Sequence, residues 1–289
     1  IMVYGAPFGI DEATLFNFLV ACRSRYRAVP YHNFFHAVDA TQTTFVLLTV
    51  GGIDRILRPI ESLTMLLVAV VHDLDHMGLN NSFYLKTDSP LGILSSSTGN
   101  QSVMEIHHCN EAMAILDVPQ NDVLRTDSIS ADERKFILTC LIKCVLATDM
   151  AKHASTVASV KLMVERRDIE QTQGYNQETR LEVMMLIIKA ADISNVTKPF
   201  EVSTVWASRV TQEFYNQGDK EKARGVEELL PMFDRAKSTG SLADGQIGFM
   251  NFVAEPFFEL LATVAPGAQP WLRQLRANKA TWLEAKRQC

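Results

Sequence analysis

The chain has 289 residues, 47% hydrophobic and 21% charged, which excludes a disordered or collagen-like polymer and allows a sizeable core. Its formal net charge is −5 and no basic block interrupts it, which excludes a nucleic-acid backbone as the main partner. No signal peptide is visible, and the longest apolar run, residues 63–71, is too short to span a bilayer.

Helical periodicity dominates from the start. Residues 13–26, 40–50, 61–76, 133–150, 179–194 and 202–217 all carry apolar positions at helical spacing. Asp132 and Glu133 set acidic charge at one helix start, where the helix dipole favours it. Pro59, Pro199 and Pro231 mark boundaries, because proline cannot continue a helix interior. Loops are expected over SSSTGNQS, residues 95–102, and over TGSLADGQIG, residues 239–248, the second of them mobile. No alternating strand, repeat or dividing linker appears. The expected architecture is a single all-α domain over residues 1–289, excised from a longer chain since it opens on Ile1. The five cysteines, Cys22, Cys109, Cys140, Cys144 and Cys289, show no C-x-x-C spacing and read as buried thiols of a reducing, cytoplasmic protein.

Chemistry concentrates in three places. In YHNFFHAVD, residues 31–39, His32 and His36 are four apart, so on a helix they would share a face. In HDLDH, residues 72–76, four titratable groups follow a run that is apolar on every side. Such a run is buried, and charge at its end is costly unless something pairs with it. Read as one helix, it puts His72 and His76 on a common face, with Asp73 about 100° around. Asp192 lies late in a third apolar helix. Imidazole nitrogens and carboxylate oxygens suit zinc, manganese, iron or magnesium. A carboxylate can bridge two such ions, which together activate a bridging hydroxide and clamp a phosphoryl displacement. Each element also has a plainer reading. A lone H-x-x-x-H pair is more often structural, Asp192 could end a helix turn, His107 and His108 could be a polar patch, and His153 reads as surface.

The ordered set YHNFFHAVD, HDLDHMGLNN, EIHH, LATDM, AADISNVTKP and GQIGF resembles the catalytic domain of class I cyclic nucleotide phosphodiesterases, over almost the whole chain from about Tyr31. The resemblance implies a compact all-α domain with a dinuclear metal site at the base of a deep pocket. It implies His36, His72, Asp73 and Asp192 as ligands of a tight Zn2+ site, with Asp73 bridging to Mg2+ or Mn2+. It implies His32 as the general acid that protonates O3′, and His76 and Glu105 as groups around the metal waters. For the base it implies Gln246, Phe249 and Val210 as a purine clamp, with Asn195, Met150 and Tyr31 lining the pocket. A histidinium suits a proton donor near neutral pH but needs a partner, for which Glu105 is the candidate. Gln246 and Phe249, three apart, share one side if that stretch is helical.

The chain departs from the family before EIHH. The stretch SSSTGNQSVMEIHH is a few residues longer than usual and Ile106 replaces an asparagine, which suggests the kinetoplastid branch and puts the local loop shape in question. Met77 stands where proline or lysine is usual. The expected activity is hydrolysis of 3′,5′-cyclic nucleotides to 5′-monophosphates. Cyclic AMP is favoured through Asn195, with use of both cyclic AMP and cyclic GMP as the alternative. Another HD-type phosphohydrolase, or a silent nucleotide-binding module, are the competing readings. Neither nucleic-acid binding nor membrane insertion by this domain is expected; a homodimer is compatible.

Overall fold

The computed structural model describes residues 1–166, 175–227, 229–236 and 242–288. Its helices are α1 (Met2–Gly5), α2 (Glu12–Arg25), α3 (Phe34–Thr49), α4 (Pro59–Val71), α5 (Asn81–Lys86), α6 (Pro90–Thr98), α7 (Val103–Leu116), α8 (Ala131–Thr148), α9 (His153–Glu165), α10 (Gln177–Asp192), α11 (Phe200–Ala223), α12 (Leu242–Phe249), α13 (Glu255–Val264) and α14 (Gln269–Gln288). Short 3-10 turns join them, and no strand occurs among the described residues.

The centre is α4. Every residue from Ile60 to Val71 is buried, as an all-round apolar helix requires, and α3, α8 and α10 pack around it. Pro59 opens it at a position where the missing N–H costs nothing. Glu61, 1% exposed, accepts from the Arg58 backbone N–H at 2.8 Å and pairs with the Arg180 guanidinium at 2.9 Å. A carboxylate that deep is tolerated because it is paired and hydrogen-bonded. Pro199 caps α11 and Pro231 opens a 3-10 turn, as the sequence suggests.

Three boundaries differ from expectation. First, α4 stops at Val71, and residues 72–75 form a turn in which Asp75 takes φ +58°; HDLDH is therefore not helical, and His72 and His76 share no helix face. Second, α3 begins at Phe34. Asn33 caps it, accepting from the Phe35 and His36 N–H groups at 2.9 and 3.4 Å, so His32 precedes the helix that carries His36. A side chain that satisfies two orphan N–H groups outweighs the periodicity upstream of it. Third, residues 95–98 belong to α6, and residues 242–248 to α12 rather than to a loop; residues 239–241 lie outside the described set.

The stretch Leu242–Val264 is long and apolar enough, by length and composition, to cross a membrane. It is two helices joined by a π-turn at Met250–Ala254. Pro256 has no N–H for the Phe252 carbonyl, and a π-turn absorbs such a break. Its second half buries Phe257, Phe258 and Leu261 in the core.

Candidate active site

The end of α4, the start of α3 and the end of α10 converge. His36, His72, Asp73 and Asp192 each offer an atom, all within 4.8 Å of one another. His36 Nε2 lies 3.1 Å from Asp192 Oδ1 and 3.4 Å from Asp73 Oδ2. His72 Nε2 lies 3.3 Å from Asp73 Oδ2, 3.6 Å from Asp192 Oδ1 and 3.3 Å from His36 Nε2. A tetrahedral cation with ligands at about 2.0–2.1 Å spaces them about 3.3 Å apart. His72 Nδ1–H donates to the Ala69 carbonyl at 2.9 Å, which leaves the Nε2 lone pair for a metal. Asp73 Oδ2 is buried without a hydrogen-bond partner. These donors fit a divalent cation. Burial would raise the Asp73 carboxyl, but the neighbouring His72 outweighs it and holds the group well below its ordinary value; Asp192 is lowered by His36 and His72 against the same burial.

A second group adjoins the first. His32, His76 and Glu213 meet within the same span. Glu213, buried on α11, pairs with His32 Nδ1 and accepts from the Tyr31 and His32 backbone N–H groups at 2.9 and 3.2 Å. Burial alone would lower His32; the Glu213 charge and hydrogen bond outweigh it and raise the imidazole to about 9. The carboxyl of Glu213 falls to about 2, because the His32 charge more than offsets its burial. With Nδ1 held, Nε2–H is the proton His32 can give. His76 stacks on His32 at 4.0 Å and accepts from the Gly78 N–H at 3.0 Å, so its own proton sits on Nε2. Burial, then the His32 charge, hold His76 neutral, well below its ordinary value. Tyr31, itself buried, packs edge-on to His32 at 4.7 Å and tilted over His36 at 4.8 Å.

Glu213, not Glu105, is therefore the partner of His32. Glu105 sits in the first turn of α7, accepts from Asn81 Nδ2 at 2.9 Å, and is pushed up to about 7 by burial and then by Asp149. Glu213 was legible in principle. Trp206, Val210, Glu213 and Gln217 follow at spacings of four, three and four, an inward stripe that carries a carboxylate where an apolar residue belongs. His108 supports the turn at residues 72–75: its Nδ1–H donates to the Leu74 carbonyl and its Nε2 lies 3.7 Å from Asp73 Oδ1. Of the aromatics beside His32, Phe35 is 70% exposed and lines nothing. His153 is half-buried against Phe257 rather than on the surface.

Asp73 of the first group and His32, His76 and Glu213 of the second line one cavity of about 820 Å³, with His36 and His72 behind them. Asp192, Met150 and Asn195 border it too, and so do Gln246, Phe249 and Val210. Gln246 and Phe249 lie on α12, three apart. Gln246 is 7% exposed and its Oε1 has no hydrogen-bond partner, unusual for a buried amide unless a ligand supplies one.

Comparison with known proteins places this geometry. The family model for 3′5′-cyclic nucleotide phosphodiesterase matches residues 31–275. Among curated proteins, the probable 3′,5′-cyclic-AMP phosphodiesterase pde-4 of Caenorhabditis elegans is 34% identical over 96% of this chain and 41% of its own length. Mouse 3′,5′-cyclic-AMP phosphodiesterase 4C is 33% identical over 98% of this chain and 40% of its own. Among solved structures, LmjPDEB1 in complex with IBMX superposes with a TM-score of 0.94 at 48% identity, covering 99% of this chain and 83% of that one. The phosphodiesterase domain of Salpingoeca rosetta rhodopsin phosphodiesterase gives 0.87 at 33% identity, covering 99% and 85%. The chain belongs to the cyclic nucleotide phosphodiesterase family and forms its class I catalytic domain. It spans less than half the length of these two curated relatives.

Proposed function

We propose that this chain hydrolyses 3′,5′-cyclic nucleotides to nucleoside 5′-monophosphates. The observation that carries the reading is the adjacency of two groups, a four-donor cluster and a carboxylate-held histidine, both reaching one cavity that is also lined by an aromatic ring and an amide. His36, His72, Asp73 and Asp192 would hold a tightly bound Zn2+, and Asp73 would also serve a second ion, Mg2+ or Mn2+. Such ions supply Lewis-acid polarisation of the phosphoryl oxygens and acidify a water.

The chain's own residues do the rest. His32 delivers its Nε2 proton to the departing O3′, which is a poor leaving group as an alkoxide. Glu213 keeps that imidazole charged and fixes its tautomer, while Tyr31 and His76 hold its plane from two sides. Phe249 and Val210 sandwich the base, and Gln246 reads its edge through paired donor and acceptor. Asn195 borders the base end and favours cyclic AMP. Because no partner fixes Gln246 Oε1, the same amide can serve cyclic GMP as well. A cytoplasmic setting is part of the proposal, supported by four buried free thiols.

The test is turnover of cyclic AMP and cyclic GMP by the purified domain with Mg2+, then with excess chelator. Chelator-sensitive release of 5′-monophosphate, faster for cyclic AMP, is the expected result. No release of either product from metal-loaded protein would overturn the proposal.

A further inference from the structure

Asp75, the central acid of HDLDH, does not face the cleft. Its carboxylate points away, to Arg27 and His107. Arg27 Nε and Nη2 meet Asp75 Oδ1 and Oδ2 at 2.6 and 3.1 Å, and His107 Nε2 meets Oδ2 at 2.8 Å. None of the three borders the cavity. Each belongs to a different segment, and each segment carries part of the chemistry. Arg27 lies five residues before His32 on the connection into α3. Asp75 sits in the turn that presents His72, Asp73 and His76. His107 lies on α7 beside His108 and two residues after Glu105. A further tie runs the same way, from Tyr26 Oη–H to the Val70 carbonyl at 2.8 Å.

The turn needs holding. Asp75 adopts φ +58°, one of two left-handed positions filled by a residue other than glycine among the described residues. Backbone of that kind persists where the surroundings over-determine it, and the bidentate guanidinium and the imidazole do so here. Asp75, His107 and nearby Glu111 also have the look of a cation site. Both carboxylates, however, are already matched by guanidinium groups, Asp75 by Arg27 and Glu111 by Arg25. The positive charge comes from the chain itself.

We propose that Arg27, Asp75 and His107 form a positioning clamp that sets His32 against the metal-ligand turn. It governs turnover without touching substrate or metal. Exposed ion pairs add little to stability, so the clamp acts through geometry; a displacement of about 1 Å can cost roughly 100-fold in rate. The inference rests on His32 as the proton donor.

The test is a cycle in the whole chain with cyclic AMP and saturating Mg2+: Arg27→Met, His32→Ala and both together, with tight-metal content measured for each. Arg27→Met is expected to lower kcat about 10- to 100-fold, leaving KM and metal content near those of the parent. Arg27→Lys should recover part of the loss, because an ammonium can make only one of the two contacts. In the His32→Ala background, Arg27→Met should cost nothing further, since interacting residues are non-additive. Asp75→Asn, whose side chain also tolerates a left-handed backbone, is the second variant and should behave like Arg27→Met. Parental kcat in Arg27→Met would overturn the clamp, and so would an equal loss in both backgrounds, which marks general damage to the fold. Should His32→Ala itself turn over normally, the proton-donor reading fails; if it is slow while Arg27→Met is fast, the clamp alone fails.

Discussion

Replacing Glu213 with Gln keeps the shape and removes the charge that holds His32 protonated. In the parent protein His32 stands at about 9 against an ordinary 6.5. Without Glu213 the largest raising influence is gone, and burial, opposed only by the smaller effects of the Asp73 and Asp192 charges, lowers the imidazole. The distance from 6.5 to about 9 corresponds to about 3.4 kcal/mol of preference for the charged imidazole, of which Glu213 supplies the largest part. At pH 7.5 an imidazole at about 9 is roughly 97% protonated and one at the ordinary 6.5 about 9%, so loss of Glu213 costs kcat up to about tenfold through protonation. The lost tautomer control adds to this. The assay is kcat against pH from 6 to 10 for both, with metal content checked at each end. The alkaline limb should move to lower pH. An unmoved alkaline limb would refute the reasoning. The linkage to stability follows the same signs. The raised His32 contributes stability fully below about 6.5, lost as pH rises through about 9. Glu213, depressed to about 2, contributes above its ordinary 4.5 and loses it as pH falls through about 2.

Asp192→Ala should release the tight metal and abolish turnover, read by metal analysis of dialysed protein; retention of a full equivalent of metal would count against its place among the donors. Phe249→Ala should raise KM for cyclic AMP about tenfold with a smaller effect on kcat, since a base stacked on an aromatic ring contributes roughly 1–3 kcal/mol; a pure kcat effect would show that the ring does not hold the base. Leu66→Ala, at a position with 0% exposure in α4, should cost roughly 2–5 kcal/mol in chemical denaturation while kcat per folded molecule is unchanged.

How much was legible differs from residue to residue. The all-helical character and the buried α4 followed from period and composition, because an apolar run that opens on a proline has few other solutions, though only six of the fourteen helices among the described residues were marked by periodicity. His36 and Asp192 could be singled out because each interrupts an apolar helix with a ligating side chain. Their meeting with His72 and Asp73 could not be read from spacing: four residues from three helix ends, up to 156 apart in sequence, converge only through packing. Periodicity misled where a local contact outcompeted it. Asn33 caps α3 and leaves His32 outside the helix, and α4 ends before HDLDH, so residues expected on one face serve two separate groups. Glu213 escaped notice because a glutamate inside a long polar-faced helix looks like surface until its burial is known.

Sequence alone determined the element type, the buried central helix and the chemical nature of the donors, because these depend on side-chain identity and local period. Only the tertiary structure decided which donors meet, which carboxylate pairs with His32, and which acid of HDLDH faces away from the cleft. Those depend on distances of a few ångströms between distant segments, and on burial, which converts a modest charge contact into a large shift in protonation.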